Sequence, residues 1–123
     1  MSERKSRRSP AAIVRRSLLS ASVAGGRRVS RVEVKQIDLQ PGQETGLHLH
    51  PIPVVGYIAK GTIRFQLEGG PLLTLPAGSA FFEPANVRVL HFDNPSTQEP
   101  ATFIAHYLLG GEDERLIEML DED

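Results

Sequence analysis

GQETGLHLHPIPVVGYIAKG, residues 42–61, is the stretch whose reading decides the fold. His48 and His50 are separated by one residue in a run that reads as extended chain. Side chains alternate faces along a strand, so both imidazoles project to one side about 7 Å apart, a gap that a metal ion bridges. Pro51 and Pro53 interrupt the run, after which Val54, Val55, Tyr57 and Ile58 resume an extended apolar pattern that ends in a turn at Lys60-Gly61.

Strand signals continue on either side. Downstream, residues 62–68 place Ile63, Phe65 and Leu67 on one face and Thr62, Arg64, Gln66 and Glu68 on the other, the pattern of a half-buried antiparallel strand. Gly69-Gly70 turns the chain into Leu72–Leu75, and Pro76-Ala77-Gly78 turns it again into Ser79–Glu83. Val87–Asp93 follows, with Val87, Val89 and His91 sharing one parity, and Ala101–Leu109 is a last long strand. Upstream, residues 27–39 alternate at Val32 and Val34 and then change phase to Ile37 and Leu39, which predicts a β-bulge. Short strands punctuated by glycine and proline at this interval predict an all-β sandwich or barrel. Acids at the start of EDERLIEMLDED, residues 112–123, suit a helix dipole and predict a short terminal helix. The chain thus divides into a basic arm over 1–26, a barrel over 27–111 and an acidic helical tail over 112–123.

Composition narrows the chemistry. A chain of 123 residues holds one core. Without cysteine, disulfides and thiolate sites are excluded, so a metal is held by imidazole, carboxylate or water, which favours iron, manganese, nickel, copper or zinc. No apolar run approaches the roughly 20 residues that span a bilayer, and a cytoplasmic protein with no membrane role is expected. The net charge of -1 conceals a polarity: residues 1–31 carry nine Lys/Arg against Glu3, and residues 112–123 carry seven acids against Arg115. Charge segregated in this way predicts attraction between the two ends or to a neighbouring subunit. The arm has no aromatic residue for base stacking, which argues against nucleic acid, and Arg15 and Arg16 break any secretory apolar core. A mobile first ten residues followed by an edge strand near Ile13–Val23, crossing to a partner, is the expectation for it.

The central stretch resembles the first motif of the cupin superfamily: Gly, five residues, His-x-His, three or four residues, Glu, six residues, Gly. Gly42, His48, His50 and Gly61 fall on it, with Val54 in the place of the glutamate. Of the second motif, Gly78 and Pro84 match; Asn86 takes a glycine position, Val89 the histidine position and Asp93 the asparagine position. The resemblance covers residues 32–109 and implies a double-stranded β-helix, or jelly-roll barrel, built around a divalent metal. Two residues compensate for the missing ligands. His91 shares the parity of Val89, and Glu83 ends a strand expected to neighbour the histidines. The implied site is His48, His50 and His91 as metal ligands, with Glu83 as a fourth ligand or the group that moves a proton. Glu83 paired instead with Arg64 or Arg88 is the plainer reading, and His106 is read as structural. Val54, Tyr57, Phe65, Phe81 and Val89 are expected to line the pocket.

The resemblance implies a metal-dependent oxygenase or isomerase acting on a small organic substrate. The alternative is a non-catalytic cupin, its pocket dried by the two valines and empty of metal, that binds a small ligand for sensing or carrying. A homodimer is expected from the charge polarity and from apolar residues on both faces of Val87–Asp93.

Overall fold

The computed structural model describes residues 11–111 and 115–121. Among these the chain forms β-strands and no helix: β1 (Arg31–Leu39), β2 (His48–Leu49), β3 (Val54–Lys60), β4 (Thr62–Leu67), β5 (Leu73–Pro76), β6 (Ala80–Glu83), β7 (Val89–Asp93), β8 (Ala101–Leu109) and β9 (Glu118–Met119). All pairings are antiparallel, in two sheets of order β1-β8-β3-β6 and β5-β4-β7-β2-β9. Strict alternation in β8 buries Ala101, Phe103, Ala105, Tyr107 and Leu109. β4 sends in Ile63 and Phe65, as its sequence pattern requires. Between the sheets Phe65, Phe81, Phe92 and Phe103 stack with centroids 4.5 to 6.0 Å apart, mostly tilted or edge-on, the geometry that ring quadrupoles favour.

Backbone geometry accounts for two residues, Gly56 in the central stretch and Asn86 in the second motif. Gly56 sits where an added Cβ would lie 2.1 Å from the Phe81 ring and 2.6 Å from the Ile104 carbonyl, so no side chain fits there. Asn86 adopts φ 64°, the left-handed region that glycine favours and asparagine tolerates. Its N–H donates to the His50 carbonyl at 2.7 Å, tying the turn to the end of the histidine segment.

Three expectations are corrected. β1 carries no bulge: its ladder with β8 runs unbroken from Arg31↔Leu109 to Leu39↔Ala101. The change of phase in its sequence means instead that Ile37 and Leu39 face the core while Val32 and Val34 face outward, Val34 at 59% exposure. The register shifts fall elsewhere, near Ile58/Lys60 of β3 and Gln66/Leu67 of β4. The terminal helix is replaced over 115–121 by an extended strap containing β9, because β2 offers an open edge whose hydrogen bonds outweigh the weak preference of a short isolated helix; the remainder of the predicted helix lies outside the described residues. In the arm, residues 11–30 are neither helix nor strand. The turn expected at Gly25-Gly26 is present, with both glycines at positive φ and the Gly26 N–H donating to Val23 O at 2.9 Å. The expectation of mobility for residues 1–10 lies outside the described residues.

Candidate metal centre

His48 belongs to β2, His50 follows it by two residues, and Glu83 closes β6; all three are buried. Their ligand atoms lie within 4.8 Å of one another, close to twice a metal–ligand bond of about 2.1 Å. Glu83 does not arrive from a strand beside the histidines. β6 pairs with β3 in the other sheet, so the carboxylate reaches across the barrel interior. Its register partner is Val54, the position at which the first motif calls for glutamate. The carboxylate therefore occupies the same rung, one strand over. Val89, at the histidine position of the second motif, pairs with His48 and is fully buried, which leaves that quarter of the site apolar.

Hydrogen bonds set the imidazole tautomers. His48 Nδ1 lies 2.7 Å from the Gly46 carbonyl and His50 Nδ1 lies 2.7 Å from the Leu116 carbonyl. A carbonyl only accepts, so each Nδ1 carries the proton and each Nε2 is left to the cavity, the arrangement of metal-ligating histidines. His50 Nε2 stands 3.0 Å from Glu83 Oε1, while Glu83 Oε2 is buried without a hydrogen-bond partner among the described residues. A carboxylate facing a bare imidazole nitrogen needs a proton or a cation between them, and a buried oxygen without a partner is costly. A divalent ion satisfies both demands, so the donor set fits one.

Electrostatics separates the two rings. Burial holds the His48 pKa below 6.5 against the opposing pull of the Gly46 carbonyl and the Glu83 charge. For His50, burial pushes the same way, but the hydrogen bond and charge of Glu83, with the Leu116 carbonyl, outweigh it and raise the pKa. Tyr107, whose ring is 5.9 Å from that of His50, is raised above 10.0 by burial and by the charges of Glu83 and Glu33, so its phenol stays protonated.

Together these side chains face a cavity of about 130 Å³, with Ile37, Val54, Phe81, Phe92, Phe103 and Tyr107 among its walls and Ile117 at its edge; among the described residues no lysine or arginine lines it. Of the residues expected there, Val54 and Phe81 line the cavity. Phe65 and Val89 are buried but do not line it. Tyr57 is 40% exposed: Val54, Gly56 and Ile58 are the inward residues of β3, which turns Tyr57 to the outer face.

His91 does not join the group. The ladder pairs Leu67 with Val89 but Gln66 with His91, so Leu90 is an extra residue in β7 and the parity inverts after it. The His91 side chain is 47% exposed and bonds the buried Asp93 at 2.9 Å, away from His48 and His50. Nor does Glu83 pair with an arginine; Arg88 bonds Glu68 instead. His106 faces outward and its Nδ1 donates to the Val55 carbonyl at 2.9 Å. Besides the walls Ile37, Thr45, Phe92, Phe103 and Ala105, sequence reasoning missed Tyr107 and Ile117. The first shares the apolar parity of Phe103 and Ala105; the second lies in the segment read as helix.

Comparison with known proteins agrees with this architecture. A family model described as a cupin domain matches residues 35–107. A search of curated proteins finds no match. Among solved structures, DMSP lyase DddQ from Ruegeria pomeroyi is similar with TM-score 0.60 and 20% identity over 72% of this chain and 42% of that one. An oxalate oxidase in complex with the substrate analogue glycolate matches with TM-score 0.58 and 20% identity over 72% and 46%. An RmlC-like cupin from Shewanella frigidimarina matches with TM-score 0.57 and 22% identity over 67% and 68%. The chain spans less than half the length of the lyase and oxidase chains, and at these identities the likeness is one of fold. With the family model covering residues 35–107 and the two sheets closing around the His-x-His segment, the chain belongs to the cupin superfamily.

Proposed function

We propose that this cupin binds one divalent first-row transition metal through His48, His50 and Glu83 and uses it on a small organic substrate, as an oxygenase or isomerase. The observation that carries the reading is the meeting of two imidazoles, each with its Nδ1–H held by a main-chain carbonyl, with a buried carboxylate that has an oxygen to spare. Two histidines and one carboxylate with open positions form the donor set of non-haem iron enzymes, and manganese, nickel, copper or zinc also accept it. The bound ion supplies Lewis acidity and a place for an oxygen ligand. In this reading Glu83 is the third ligand, and the protonated Tyr107 phenol, which lines the same cavity, is a proton donor to the substrate.

Charge selects the substrate class. A divalent ion with one carboxylate leaves a single net positive charge in a cavity that has aromatic and aliphatic walls and, among the described residues, no lysine or arginine. A neutral or singly anionic molecule with an apolar body matches that charge, whereas a dianion would leave buried negative charge uncompensated.

Metal analysis of protein purified without a tag or chelator tests the reading: stoichiometric metal is expected, and its loss in His48→Ala. The direct His50–Glu83 contact at 3.0 Å favours one alternative, a barrel that uses these residues as a buried ion pair and binds an apolar ligand without catalysis. Protein free of metal, with unchanged stability in His48→Ala, would select it.

The assembly proposed is a homodimer. Ile13, Val14, Leu18 and Leu19 of the arm are exposed, as are Val32, Val34 and Tyr57 on the outer face of the four-stranded sheet. One chain carries both apolar surfaces, so two copies can cover each other reciprocally.

A further inference from the structure

The two imidazoles are held by unequal means. His48 is fixed locally, by the Gly46 carbonyl two residues before it. His50 is fixed from 66 positions away, by the Leu116 carbonyl of the C-terminal strap. The strap lies along β2 through the pairs His48↔Met119 and Leu49↔Glu118, and the Leu120 N–H donates to the Leu47 carbonyl at 3.0 Å. The Leu116 side chain seats it against the core, and Ile117 edges the cavity. Asn86 also reaches His50, but at its main-chain carbonyl, so it does not orient the ring.

We infer that residues 115–121 are a positioning element of the site: the strap, through the Leu116 carbonyl, fixes the tautomer and orientation in which His50 presents Nε2 to the cavity. Without that acceptor the neutral ring is left, among the described residues, with Glu83 Oε1 at 3.0 Å from Nε2 as its acceptor, so its proton moves to Nε2 and the lone pair needed for a metal is turned away from the cavity. The strap is held mainly by β-bridge hydrogen bonds at a sheet edge and by one leucine. Site geometry therefore depends on a segment that the histidine motif does not contain. The metal readout of this inference rests on the reading of His50 as a ligand; the tautomer readout does not.

The test uses the full chain. Leu120→Pro removes the N–H that ties the strap to Leu47, and Leu120→Ala keeps it. In chelator-treated protein, at a pH where the ring is neutral, the Leu116 carbonyl and Glu83 Oε1 compete for the His50 proton, and ¹⁵N NMR is expected to show the same Nδ1–H share in wild type and in Leu120→Ala. A shift of the proton towards Nε2 is expected in Leu120→Pro, together with Zn²⁺ affinity weakened about tenfold by calorimetry, the loss typical of removing a partner of a metal-bound histidine. If circular dichroism shows Leu120→Pro unfolded, Leu116→Ala, which withdraws the seating side chain, takes its place with the same expectations. A folded variant that keeps the wild-type tautomer ratio and wild-type Zn²⁺ affinity overturns the inference. Should wild type bind no Zn²⁺, the proposed function falls and the tautomer alone decides the role of the strap.

Discussion

Asn86 shows how a single residue departs from a motif without breaking it. Its φ of 64° is costly for side chains other than asparagine, and glycine reaches it without strain. Asn86→Ala is therefore expected to destabilise the fold by about 1–2 kcal/mol and Asn86→Gly to be nearly neutral, as read by urea unfolding. Glu83 was legible only in part. Its place beside Phe81 and Phe82 marks it as a carboxylate needing a partner, but the partner lies in the opposite sheet, and no spacing within one strand encodes that. In metal-free protein the raised pKa of His50 means that the folded state holds its proton more tightly than the unfolded chain. The contribution is complete below the ordinary value of 6.5 and is lost as pH rises through the folded pKa. Glu83→Gln is expected to remove that loss, so the difference in Tm between wild type and variant should be largest below pH 6.5 and shrink as pH rises above it. A difference that grows with pH would contradict the assignment. Between His106 and Tyr107, the sequence leaves the inward residue undecided because Ile104 and Leu108 are as apolar as Phe103 and Leu109; the unbroken ladder of β8 decides for Tyr107.

At the scale of elements, strands with a clean period of two were readable to within a residue or two, and the errors arose where a strand meets its neighbour. Parity counting from Val89 to His91 presumes a ladder without insertions, and the extra Leu90 voids it. β1 erred the other way, since outward valines imitate a change of phase. His91→Ala is accordingly expected to leave metal affinity within about twofold of wild type, as surface substitutions usually do little. Val89→His places an imidazole at the rung opposite His48, in the apolar quarter of the site. It is expected to tighten Zn²⁺ or Mn²⁺ binding by at least about tenfold on the ligand chemistry of such ions; calorimetry showing no gain would mean that the cavity does not accept a fourth protein ligand. The tail was misread because acids ahead of an apolar run satisfy helix rules locally, whereas the open edge of β2 is visible only once the barrel exists.

Across the whole molecule, the arm and the outer sheet face are the surfaces that the barrel leaves uncovered, with Val14 at 84% and Val34 at 59% exposure. Val34→Asp changes a surface position and is expected to cost folding little while shifting the protein from dimer to monomer in light scattering. A dimer unchanged by it would place the contact elsewhere. No helix of the described residues is long and apolar enough to cross a membrane. The mixed origin of the ligand set has a mechanical outcome. His48 and His50 border one sheet and Glu83 the other, so an ion held by all three is a clasp that spans the sandwich. Loading it should slow amide hydrogen exchange in β2 and β6 together, and releasing it should let the two layers breathe apart as separate plates.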